Sequence, residues 1–329
     1  MRSMSKILLS PLFLLLLSDA GIASDYLFYF EGQGIVGYSS AQKKPIYYSM
    51  DPHAEMQKPS IGFDYIGRFS GETGDVASLA VQGRFALTVD DDNYKFEPQL
   101  YNAYLKVKAG WPYVWIGHNR PAFGLSAYLD SHGLLLRTLA MQGFGYDRDW
   151  GAGITRDFSW GDFAASFTTA SGMPIYFKGN YMAASRVAYG VLNRDNMNLG
   201  FSLAYGRNLE TMGYELIDDD PREMMLAGTD LTLLRDNFEH RIDLLAGEWL
   251  GEETYAFFYR FGIDLLQEGR LKAEAQPVYW KFGGTENYQI SLCFSSQVSL
   301  SLTVRLSYTY DHAPDDSRVL LQLYYYRPI

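Results

Sequence analysis

In the C-terminal part of the chain, apolar and polar residues alternate one by one. Val298, Leu300, Leu302, Val304, Leu306, Tyr308 and Tyr310 are separated by Ser299, Ser301, Thr303, Arg305, Ser307 and Thr309. Successive side chains of a strand point to opposite faces, so this segment has one oily face and one hydroxylic face with a single arginine. It is longer than the roughly 5–6 residues of an average soluble strand and suits the roughly 9–11 tilted residues that cross a bilayer. The pattern recurs. Read together with the turn residues between them, sixteen such strands are predicted, at 26–38, 60–70, 75–90, 97–109, 111–120, 150–158, 162–170, 181–192, 197–208, 224–235, 240–250, 254–266, 270–282, 287–296, 297–311 and 317–327.

Their faces can be assigned. The second strand sends Ile61, Phe63, Tyr65 and Phe69 outward, with Asp64 and Arg68 inward. The third places Leu79, Val81, Phe85, Leu87 and Val89 outward, with Gln82 and Arg84 inward. In the fourth, Tyr101, Ala103, Leu105 and Val107 alternate with Asn102, Tyr104, Lys106 and Lys108, and in the fifth both faces carry apolar residues. Connections fall into a short set (71–74, 110, 159–161, 193–196, 236–238, 267–269, 296–297) and a set with long members (39–59, 121–149, 171–180, 209–223). Short turns at one end and longer loops at the other are the plan of an outer-membrane barrel, and an even strand count returns the chain to the side where it began. The predicted fold class is all-β, a transmembrane antiparallel β-barrel of about 16 strands.

Composition is consistent with this reading. Arg2 and Lys6 precede an apolar stretch from Ile7 to Leu17, followed by small residues at Gly21, Ala23 and Ser24. That is the three-part plan of a secretory signal, expected to span 1–23 and to leave 24–329 as the barrel. Beyond it no helix-length apolar run occurs, and closure as a barrel is the other way to satisfy every backbone polar group in lipid. One cysteine, Cys293, excludes an internal disulfide, and it falls on the Gln289, Ser291, Ser295 face. Removing Arg2, Lys6 and Asp19 from 28 basic and 38 acidic side chains leaves 26 and 37, a net charge of −11 that disfavours nucleic acid as a partner.

The run Val114-Trp-Ile-Gly-His-Asn-Arg-Pro-Ala-Phe-Gly124, where a glycine-and-arginine strand end meets Pro-x-Phe-Gly, together with the signal, the sixteen strands and one dominant loop, resembles the outer-membrane general and phosphate-selective porin superfamily. The resemblance implies a homotrimer, and a third long loop that folds into the lumen and narrows it. Loop 121–149 is third if the short 91–95 turn is counted. Its candidate constriction residues are Asp130, His132, Arg137, Asp147, Arg148 and Asp149, with 134–136 and Leu139 as an apolar patch for the inner wall. An external cap or a trimer contact is the alternative. A basic ladder is expected opposite, drawn from Arg68, Arg84, Lys106, Arg186, Arg260 and Arg305, with Arg84 and Arg305 nearest mid-strand. In one respect the chain departs from the family, which usually finishes on an aromatic residue; here the end is Arg327-Pro328-Ile329, with Tyr325 or Tyr326 as the substitute.

Other features fit the barrel without adding chemistry. The acidic runs 90–92 and 218–220 lack the oxygen spacing of a calcium loop and read as solvated turns. Tyr308, Tyr310, Tyr325, Trp111 and Trp115 near strand ends read as an interfacial girdle, while Tyr104 and Tyr324 face inward. His53, His118, His132, His240 and His312 are scattered, and neither a Gly-x-Ser-x-Gly elbow nor a His-Glu-x-x-His metal motif is present. The expectation is therefore a channel with no enzyme activity, cofactor or metal, whose partners are small hydrophilic solutes or ions, outer-membrane lipid and lipopolysaccharide. A barrel with a hydrolase or adhesive role and no open pore is the alternative.

Overall fold

The computed structural model describes residues 23–48, 57–72, 74–90, 93–108, 110–130, 133–266 and 270–329. Residues 1–22 of the expected signal, the loop histidines His53 and His132, and Asp91 and Asp92 lie outside them. The strands are β1 Ala23–Ser39, β2 Lys44–Ile46, β3 Ser60–Gly71, β4 Gly74–Asp90, β5 Asn93–Val107, β6 Tyr113–Asn119, β7 Asp149–Phe158, β8 Gly161–Thr168, β9 Tyr181–Tyr189, β10 Met197–Met212, β11 Glu215–Arg235, β12 Phe238–Trp249, β13 Glu252–Asp264, β14 Leu271–Phe282, β15 Thr285–Gln297, β16 Leu302–Asp311 and β17 Asp316–Pro328. Every pairing is antiparallel. β1 pairs with β3 on one edge, from Ala23↔Ser70 to Gln33↔Ser60, and with β17 on the other, from Tyr29↔Pro328 to Ser39↔Arg318. The ring of sixteen long strands is thereby closed, and β2 is a short addition beside the end of β1.

Alternation sets the two faces. Along β10, Leu199, Phe201, Leu203 and Tyr205 are each about half exposed, while Asn198, Ser202 and Ala204, on the opposite face, are buried. The same outward band continues on β17 through Val319, Leu321 and Leu323. An apolar belt of this extent on a soluble monomer would exceed the few hundred Å² usually tolerated, whereas lipid accommodates it.

Several boundaries differ from the sequence expectation. The alternation from Val298 to Tyr310 is not one strand: β15 runs on to Gln297, and 298–301 form the turn. The Ser299 hydroxyl accepts the amides of Ser301 and Leu302 there, leaving Leu300 almost fully exposed. The segment 209–223 is a hairpin, not a long loop. β10 continues to Met212 through two register shifts, Gly213 turns at φ 58°, and β11 starts at Glu215. Beyond the membrane both faces are wet, so polarity alternation disappears while the hydrogen-bond ladder continues. Asp218, Asp219 and Asp220 therefore lie within β11 and not in a turn.

The bore is also less uniformly polar than alternation implies. Met182, Ala204, Met224, Leu226, Leu245, Ala256, Phe258 and Val278 of β9–β14 point inward and are buried, forming one apolar core with Phe123, Leu125, Leu129, Leu139 and Phe144 of the long loop. The part of the barrel wall from β9 to β14 is thus covered from inside.

Candidate functional site in the barrel lumen

Between β6 and β7 the chain runs from Arg120 to Arg148, along the inward-facing side chains of most of the barrel. The amide of Ala122 donates to Ser166 Oγ of β8 at 3.0 Å, that of Gly124 to Ser202 Oγ of β10 at 3.0 Å, and that of Leu125 to Asp243 Oδ2 of β12 at 3.3 Å. Tyr128 and Thr232 of β11 share a hydroxyl–hydroxyl bond. Further on, Arg260 of β13 donates to the Leu136 carbonyl, Gln276 of β14 donates to that of Arg137, and Arg137 donates to Gln289 of β15, all within 2.9 Å. Leu135 packs against Ile35, Ile46 and Leu320 on the opposite side. Two 3-10 turns, Leu125–Ala127 and Ala140–Gln142, punctuate the path. A loop with this many exposed amides needs polar partners, and inward Ser, Thr, Gln and Asp on the wall supply them.

The two ends of the loop meet at Asp130. Its carboxylate accepts Arg120 at 2.9 Å and Arg148 at 3.4 Å, and about half of its side chain remains open to the lumen. Arg148 is enclosed, with Nε donating to Asn102 Oδ1 at 2.7 Å and its guanidinium 4.1 Å from the Tyr101 ring, while the Tyr101 hydroxyl donates to Asp147 at 2.8 Å. Burial opposes the charge of Arg148, but Tyr101, Asp147 and Asp130 hold its pKa above the usual value. Tyr101, expected on the lipid face, lies inside. The ladder between β4 and β5 passes from Gln82↔Asn102 to Gly83↔Leu100, so Tyr101 is the extra residue of a β-bulge. Tyr101 and Asn102 can consequently both reach the loop.

Beside this clamp is a polar cavity of about 340 Å³, bounded by β3–β8 and the loop. Asp64, Gln82, Asn102, Tyr104 and Lys106 project from the wall, and Arg120 and Asp130 face it from the loop side. Trp115, expected in an interfacial girdle, lines this cavity and is buried.

The remaining candidates are distributed as follows. Arg84 is buried and donates twice to Gln99 Oε1, at 2.9 and 2.8 Å. Arg305 donates to Gln322 at 2.8 Å and lies 5.3 Å from the Tyr324 ring. Arg68 is exposed at the end of β3 near the β3–β4 turn, away from the others. Arg186 and Arg260 lie beneath the loop. Arg186 reaches Asp230 at 2.7 Å, Asp162 at 3.1 Å and Asn198 at 2.6 Å, and Tyr128 covers it at 4.6 Å. It crosses β10 over Gly200, where a Cβ would stand about 2.5 Å from both charged groups. These two arginines hold structure together and present no open basic surface. Arg137 is likewise enclosed; burial pushes its guanidinium down, and Arg318 adds to the effect.

Asp149 does not face an opening. Fully buried at the start of β7, it accepts the amides of Ala170 at 2.7 Å and Gly172 at 3.1 Å and the Thr169 hydroxyl at 2.8 Å, tying the loop's end to the 169–180 connection. His118 stacks on Trp150, His240 bonds the Tyr259 hydroxyl and His312 stacks on Tyr288. Among the described residues, no group of three or more His, Cys, Asp or Glu is placed to hold a metal ion.

No protein-family model matches the sequence, and no curated protein matches it significantly. Solved structures do resemble the fold. In-vitro folded OmpT, an outer membrane protein of Vibrio cholerae, aligns over 98% of this chain and 100% of its own with a TM-score of 0.63 at 12% identity. Salmonella typhi OmpF, solved in complex with daunomycin, aligns over 94% and 99% with a TM-score of 0.68 at 9% identity. An anion-selective porin from Comamonas acidovorans aligns over 93% and 100% with a TM-score of 0.59 at 10% identity. The chain has the closed antiparallel barrel fold of outer-membrane porins.

Proposed function

We propose that this chain is a porin of the Gram-negative outer membrane, a water-filled channel through which small hydrophilic solutes or ions diffuse passively, without enzyme activity. The observation that carries this reading is the placement of loop 120–148. Its polar and apolar contacts run along the wall from β8 to β15, and the polar cavity remains along β3–β8. In this reading the loop sets the width of the path. Asp64 and Lys106 on the wall face the Arg120–Asp130 pair of the loop across it, and charges of both signs around a narrow waist order water and screen solutes by charge and dipole. Lipopolysaccharide and lipid surround the apolar belt, and the barrels assemble as a homotrimer, a state in which in-vitro folded OmpT of Vibrio cholerae has been solved.

The test is planar-bilayer conductance of the refolded protein, before and after 134–142 is replaced by a short glycine–serine link. Discrete conductance steps that grow larger on shortening are expected. Steps of unchanged size would reject the loop as the constriction, and a folded barrel without conductance would reject the channel.

A further inference from the structure

On the side of the barrel away from the polar cavity, the mouth contains a second space of about 410 Å³. Phe144 and Tyr146 of the loop, Trp249 at the end of β12, and Trp280 and Phe282 at the end of β14 form its walls. The Phe144 and Trp280 rings are 6.1 Å apart and the Tyr146 and Trp249 rings 5.3 Å apart, both pairs tilted. These rings belong to the apolar core between loop and wall, so packing holds them in place. They form the upper end of that core and leave it open to the mouth.

The rim has a definite charge. Glu210 lines the space, as do Arg148 and Asp147, whose charges pair at 3.4 Å, and the hairpin 209–223 carries Glu210, Glu215, Asp218, Asp219, Asp220 and Glu223 against a single basic residue, Arg222. Arg222 is committed to Glu210 at 2.7 Å and Asp218 at 2.8 Å. Lys178 and Arg207 add one cation each, paired with Asp219 and Glu223, which leaves the rim net negative. An aromatic chamber under a net negative rim favours one class of guest, because ring faces attract cations and the rim potential concentrates them.

We propose that this vestibule is a binding site for a small apolar-bodied cation, such as an aromatic or branched ammonium, with its apolar body against Phe144 and Trp280 and its charge toward Glu210. The site stands apart from the proposed channel activity. Calorimetric titration of the full refolded chain in micelles tests it with three probes of similar shape: benzyltrimethylammonium, benzenesulfonate and benzyl alcohol. Saturable binding of the cation, about ten-fold tighter than the anion, is expected. Trp280→Leu is expected to weaken the cation by about ten-fold. The pair Glu210→Gln and Asp218→Asn is expected to weaken the cation and leave benzyl alcohol unchanged. Each variant is first checked for the heat-dependent gel shift of a folded barrel; if Trp280→Leu fails it, the charge pair alone decides. Equal binding of cation and anion, binding indifferent to both variants, or no saturable binding would overturn the proposal. Conductance without binding rejects this site and leaves the channel, and binding without conductance does the reverse.

Discussion

Asp130→Asn probes the balance of charge at the proposed waist with little structural disturbance. The amide keeps the shape of the carboxylate, and Arg148 retains Asn102, Asp147 and the Tyr101 ring. The ion pair with Arg120 is half open to the lumen, so its loss costs at most about 1 kcal/mol of stability. What changes is the field. Asp64, Asp130, Lys106 and Arg120 sum to zero in the native chain and to +1 in the variant. A unit charge about 6 Å from the path of an ion in water-like surroundings contributes about 0.7 kcal/mol, opposite in sign for potassium and chloride. Screening at 0.1 M salt roughly halves this, leaving a change of about three-fold in the permeability ratio. In a ten-fold potassium chloride gradient the reversal potential is expected to move by about 20 mV toward anion preference, and by far less near 1 M salt where the screening length is about 3 Å. An unchanged potential at low salt, with normal single-channel steps, would refute the assignment of this cavity to the ion path.

Other perturbations separate wall from belt. Arg186→Met leaves Asp230 buried without its cation and is expected to cost about 3–5 kcal/mol, read as a lowered temperature for the heat-dependent gel shift; Arg186→Met with Asp230→Leu should recover most of it. Leu203→Arg places a charge on the lipid side of β10 and is expected to cost about 2–4 kcal/mol in denaturant unfolding from vesicles. Tyr101→Phe removes the bond to Asp147 and is expected to cost about 1–2 kcal/mol, with noisier open-channel current as the readout of a looser loop end.

The barrel can be read from the sequence because lipid on one side and water on the other impose a period of two on each membrane-crossing strand. That period predicts strands at 60–70 and 317–327, and β3 and β17 occupy Ser60–Gly71 and Asp316–Pro328. The signal weakens wherever that asymmetry ends. Past the membrane the β10–β11 ladder continues with polar residues on both faces, so 209–223 reads as a loop. On β11 and β13, Met224-Met225-Leu226-Ala227 and Tyr255-Ala-Phe-Phe-Tyr259 are apolar on both faces because the long loop covers the inner one. That doubled apolarity is the trace the covered wall leaves in the sequence. The bulge at Tyr101 leaves none, since one inserted residue flips a side chain without altering composition. Strand parity likewise cannot say what stands over an inward side chain, and for Arg186 and Arg260 that is decisive.

Doubled apolarity also bears on how neighbouring strands find their alignment. A one-residue slip normally exchanges an oily face for a polar one and is rejected at once. Strands that are apolar on both faces lose much of that protection. Here one guanidinium spans the gap, since Arg186 of β9 meets Asp162 of β8, Asn198 of β10 and Asp230 of β11 across the missing side chain of Gly200. Sliding any of these strands by one position would turn one of its charged or amide groups out into hydrocarbon. The cluster thus acts as an alignment pin for four consecutive strands, among them β11, where oil and water no longer specify which way a residue should point.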